Sequence, residues 1–191
     1  EYQPGQSIDI ALNTTLYAIY DSAHEYENGF CSICGAYEPA ELVNGYYQIK
    51  TADNLFWFAE YVNTIDRTAS AKLMNDIDLE GRPWTPIGFT GEGNNNFRGH
   101  FDGNGKTITG LNVEVTRNGG GFFGEVRLGT VEDFTIYGEV KLNGKHSYVG
   151  GVIGSAPGAN SNQPEHNGAT IRNITSYVNV TLGEGSHGSN H

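Results

Sequence analysis

The feature that most constrains this chain is repetition: a segment that returns at intervals must find the same kind of neighbour each time. Gly121-Phe-Phe-Gly124 returns as Gly151-Val-Ile-Gly154, and Thr130-Val-Glu-Asp-Phe-Thr-Ile-Tyr137 returns as Thr170-Ile-Arg-Asn-Ile-Thr-Ser-Tyr177. A weaker copy, Thr107-Ile-Thr-Gly-Leu-Asn-Val113, precedes both. Short β-branched runs punctuated by glycine predict strands that stack copy on copy, a mainly β solenoid. The 27 glycines, 11 tyrosines and 9 phenylalanines suit short strands and tight turns better than a helical bundle.

Charge narrows the partners. With 22 acidic against 11 basic residues the net charge is −11, and no basic block offsets it, so nucleic acid and anionic membranes are poor partners. No apolar run approaches the roughly twenty residues that span a bilayer, so no membrane insertion is expected. Opening on Glu1, the chain reads as a piece of a longer protein. Three Asn-x-Ser/Thr sequons, at Asn13, Asn173 and Asn179, carry little weight in a sequence rich in Asn and Thr.

Three unequal parts follow one another. Residues 1–20 alternate as two short strands, too few to bury a core alone. Residues 21–43 form a linker holding the only two cysteines. From Asn44 an ordered domain begins with a strand at Tyr46–Ile49. Next comes a helix over Thr51–Thr64, with Thr51 as N-cap, Asp53 in the first turn, and Leu55, Phe58, Ala59 and Val62 on one face. Period-two alternation then sets Ala71, Leu73, Ile77 and Leu79 inward and Asp76 and Asp78 outward. Pro157–Gly168 is a polar insertion that lengthens the second repeat interval.

Two segments resemble known families. Tyr2-Gln-Pro-Gly-Gln-Ser-Ile-Asp-Ile10, with Asn13–Tyr20, resembles the end of the internalin-type β-grasp repeat of bacterial surface proteins. Phe97-Arg-Gly-His-Phe-Asp-Gly-Asn-Gly-Lys-Thr-Ile-Thr-Gly-Leu111, with Gly120–Gly124 and Gly150–Gly154, resembles the GLUG-type repeat region of secreted bacterial proteins. The second resemblance covers residues 44–191 and implies a right-handed parallel β-helix. The Thr51–Thr64 helix would cap its open end, and further coils would follow His191. It also implies an extracellular, cell-surface setting beside neighbouring modules of the parent chain.

Few constellations carry chemistry. His24, Cys31 and Cys34 have the spacing of a metal knuckle: two thiolates three apart, followed by Gly35, can face one tetrahedral ion. Asp21 is a candidate fourth ligand. Zinc, a short-loop disulfide and two free thiols are all compatible with this sequence. The segment also resembles spacers between modules of clostridial-type surface proteins. Asp76 with Asp78, and Asp102 with Asn104, read as outward strand positions and a plain turn rather than as catalytic carboxylates or a calcium loop. Gly119–Gly124 and Gly183–Gly188 have dinucleotide-type glycine spacing but open no helix after a strand. Tyr137, Tyr148 and Tyr177 are candidate ligand-binding aromatics, since sugars stack on exposed rings. Tyr137 and Tyr177 occupy equivalent repeat positions and should face the same way.

These readings lead to a non-catalytic module for adhesion or spacing that binds a host or microbial surface glycan or protein. The alternative is an accessory or catalytic region of a glycan-degrading enzyme or immunoglobulin-cleaving peptidase, marked by three or more carboxylates in one groove. A structural module that self-associates end to end is a third reading.

Overall fold

The computed structural model describes residues 24–27, 29–32, 34–89, 96–116, 119–143, 148–157 and 168–183. The β-grasp-like strands expected over residues 1–20, and all but the ends of the polar insertion, lie outside these residues.

A hairpin comes first, strands β1 (Tyr26–Glu27) and β2 (Phe30–Cys31), followed by β3 (Glu41–Val43) and β4 (Tyr46–Ile49). Thr51 then starts helix α1 (Ala52–Thr64): its own backbone is still extended, as at an N-cap, and its Oγ1 accepts the Asn54 N–H at 3.2 Å. Leu55, Phe58, Ala59 and Val62 are all buried, the face read from their spacing. β5 (Ala71–Leu73) and β6 (Ile77–Asp78) alternate as expected, with Ala71, Leu73, Ile77 and Leu79 buried. Asp76 and Asp78 face outward, where their carboxylates accept the N–H groups of Thr107 and Glu80. The remaining strands are β7 (His100–Val115), β8 (Phe123–Glu125), β9 (Thr130–Leu142), β10 (Ile153–Ser155) and β11 (Thr170–Leu182).

The expected right-handed parallel β-helix is corrected by this arrangement. The domain is mixed α/β, with one seven-stranded sheet in the order β11-β9-β7-β5-β4-β3, β6 pairing beside β7. The sheet is parallel except at its β3–β4 edge, while β1–β2 and β8–β10 form two separate two-stranded sheets. The repeat predicted which residues lie opposite one another, and the pairing of Thr130↔Thr170 through Tyr137↔Tyr177 obeys it. Periodicity sets register only; the fold class also depends on non-repeat elements. Here β3, β4 and β5, none of them part of the repeat, supply three of the seven strands of the sheet, and α1 packs Phe58 against Phe101 of β7.

The core is aromatic. Phe58 of α1 reaches Phe97 and Phe101 (ring centroids 6.4 Å apart in each case), and Phe101 packs edge-on against Phe122, Phe123 and Phe134. Trp84 is wedged between Phe56 and Phe122, and its indole N–H donates to the Phe122 carbonyl at 3.0 Å. Each fully buried ring contributes about 1.5–3 kcal/mol relative to exposure. Gly138 of β9 passes so close to Leu111 of β7 that a Cβ there would lie 2.2 Å from the Leu111 carbonyl oxygen; with φ of +148° as well, the position requires glycine.

Candidate functional site

The repeat strands bend at equivalent places. Asn104, Asp133 and Asn173 all take left-handed φ values of 51–60°, which Asn and Asp tolerate better than other side chains. The bend divides the outer surface of β7, β9 and β11 into two adjoining faces, each with its own set of side chains.

On the face before the bend, cross-strand neighbours form a polar network. Gln48, Lys72, Asp102, Glu132 and Arg172 lie in one row across five strands. The Lys72 ammonium donates to Asp102 at 2.6 Å. Glu132 is buried, with its two carboxylate oxygens shared between His100 Nε2, at 2.8 Å, and the Arg172 guanidinium. Because the carboxylate can only accept, Nε2 carries a proton, and Nδ1 is hydrogen-bonded with the Tyr46 hydroxyl at 2.7 Å. The Arg172 hydrogen bond, helped by that of His100, holds the Glu132 carboxyl below its usual range against the opposing effect of burial. Carboxylate oxygens of Asp102, Glu132 and Asp133 all come within 4.8 Å of one another.

Beyond the bend, Tyr137 and Tyr177 stack with centroids 4.7 Å apart and planes 11° from parallel. Both are exposed, by 42% and 60%, so the pair forms a ledge on the surface rather than a ladder within the core. Thr135 and Thr175 occupy the neighbouring row, two residues back along each strand. They line a cleft of about 200 Å³ together with Gly105, Asp133, Phe134 and Asn173. The ledge and the cleft are therefore contiguous along β9 and β11. Tyr148 is also exposed and precedes β10; its carbonyl accepts the N–H groups of Gly119 and Gly120, and no ring contact joins it to the tyrosine pair.

The third cluster sits at the hairpin. His24 Nδ1 lies 3.3 Å from Cys31 Sγ and 3.5 Å from Cys34 Sγ, so the three residues paired on spacing converge. The cysteines are not joined in a disulfide. Asp21 lies outside the described residues.

The polar network was not anticipated, although the repeat carried a hint of it: Glu132 and Arg172 are the third residues of matching copies and have opposite charge. His100 and Tyr46, 54 residues apart, had no such signal. Among the described residues no helix is long and apolar enough to cross a membrane. Comparison with known family models, curated proteins and solved structures finds no match.

Proposed function

We propose that this chain is a non-catalytic binding module of a bacterial surface protein and that it takes a glycan along the Tyr137–Tyr177 ledge. The observation that carries this reading is the exposed, stacked tyrosine pair bordered by a polar cleft. A pyranose presents an apolar face that stacks on an aromatic ring and a rim of hydroxyls that need partners. Asp133, Asn173, Thr135 and Thr175 place such partners beside the ledge. The rings already stack on each other, so the surface is assembled before ligand arrives and little ordering opposes binding.

A glycan array at near-physiological salt tests the reading. Binding to a family of related sugars, lost in Tyr177→Ala with unchanged thermal stability, supports it. Binding that survives both Tyr137→Ala and Tyr177→Ala, or no binding to any glycan, removes it.

The carboxylates of Asp102, Glu132 and Asp133 favour the second reading, glycan hydrolysis, because such chemistry uses a pair of carboxyl groups. Against it stand the neighbours of these groups: Glu132, clamped by Arg172 and His100, is poorly placed to deliver a proton, and Asp102 is engaged by Lys72. New reducing ends released from an array hit, and abolished by Glu132→Gln, would establish hydrolysis instead.

A further inference from the structure

The hairpin cluster has no part in glycan recognition, and its geometry speaks for itself. Tetrahedral zinc with nitrogen at about 2.0–2.1 Å and sulfur at about 2.3 Å places the two ligand atoms about 3.5–3.6 Å apart. The two N···S separations of 3.3 and 3.5 Å lie close to that edge length. We propose that His24, Cys31 and Cys34 bind one zinc ion, which closes the open end of the β1–β2 hairpin.

The surrounding structure holds the donors in place. Ser32 N–H donates to the Glu25 carbonyl at 3.0 Å, and Gly35 N–H to the Cys31 carbonyl at 2.8 Å, so the loop closes back on itself between the two cysteines. Gly35, at φ +73°, makes the turn that follows Cys34. Cys31 is buried, whereas His24 and Cys34 face solvent, which leaves a path for the ion to enter. From this corner the hairpin continues into the core: Phe30 packs on Tyr37, Tyr37 stacks on Phe56 of α1 at 5.2 Å, and the Arg82 guanidinium lies 4.3 Å from the Phe56 ring centre. At the hairpin turn, Gly29 lies so near Asp53 that a Cβ would overlap its carboxylate. The hairpin itself pairs over only two residues per strand, too few to be stable alone. A metal clip at its open end replaces the hydrophobic area it lacks, because binding energy is available only to the folded arrangement. Three protein donors leave one tetrahedral position for a fourth.

Cobalt(II) as the spectroscopic probe, followed by zinc competition on the full chain under a thiol-free reductant, tests this. The expected result is about one equivalent bound, with the intense visible absorption of a tetrahedral site and a sulfur-to-metal charge-transfer band. Zinc should abolish both signals. Cys34→Ser should weaken the charge-transfer band and lower zinc affinity while leaving the far-ultraviolet circular dichroism unchanged, since Cys34 is exposed. Limited proteolysis between residues 24 and 37 should slow with zinc and speed up with a chelator. A reduced chain that binds no cobalt or zinc overturns the proposal, as does binding that Cys34→Ser and His24→Ala leave intact.

Discussion

Strands β9 and β11 carry matching copies of the repeat and pair residue for residue, yet their apolar side chains meet different surroundings. Val131, Val140 and Leu142 of β9 are fully buried, while their partners Ile171, Val180 and Leu182 are 41–53% exposed. β9 has β7 on one side and β11 on the other; among the described residues, β11 has a neighbour only at β9. The same contrast appears in the backbone, where β9 has Gly138 because Leu111 lies directly behind it, and β11 has Val178 in register. Equivalent sequence therefore yields equivalent orientation, but burial is conferred by a second neighbour.

The largest effect should come from the core side of that contrast. Phe134→Ala should cost about 3–5 kcal/mol in denaturant unfolding, because the ring is packed against Phe101 and Phe122. Its register partner Ile174, only half-buried, should cost markedly less on the same change.

The sharpest test uses one substitution twice. Leu142→Ala should destabilise by about 2–5 kcal/mol, and Leu182→Ala by about 0.5 kcal/mol or less, as for an exposed site. Equal costs at the two positions would show that something covers β11 in solution, and a concentration-dependent midpoint would identify that cover as another copy of the chain.

Charge links the two strands as well. The Glu132 carboxyl of β9 is held below its ordinary range chiefly by Arg172 of β11, so it stabilises the fold above that range. The contribution disappears as pH falls through the depressed value. Arg172→Gln should move the acid-unfolding midpoint to higher pH, and Glu132→Gln should flatten the acid limb. An unchanged acid profile in both variants would mean that the clamp adds no stability.

The smallest stability effect belongs to the ledge. Tyr177→Ala should leave the melting temperature nearly unchanged, as the ring is mostly in solvent, while removing glycan binding. A clear loss of stability would instead assign the tyrosine stack a structural role.

Much of the local structure was legible in the residues. Thr51 announced the helix start through its hydroxyl, and the spacing of Leu55, Phe58, Ala59 and Val62 announced the buried face. Matching copies announced that Tyr137 and Tyr177 would lie side by side, and Cys-x-x-Cys with a preceding histidine marked out the three donors that converge. In each case the signal is local or periodic, and short-range geometry converts it directly into position. Only the tertiary structure decided that the strands join a mixed α/β domain with an antiparallel edge, and that Phe58 of α1 packs against Phe101 of β7. It alone brought Tyr46 to His100, His100 to Glu132, and Asp102 beside Asp133. Apart from the antiparallel edge, which is the local β3–β4 hairpin, those outcomes depend on contacts between segments 30 or more residues apart, where packing chooses among arrangements that local pattern leaves equal.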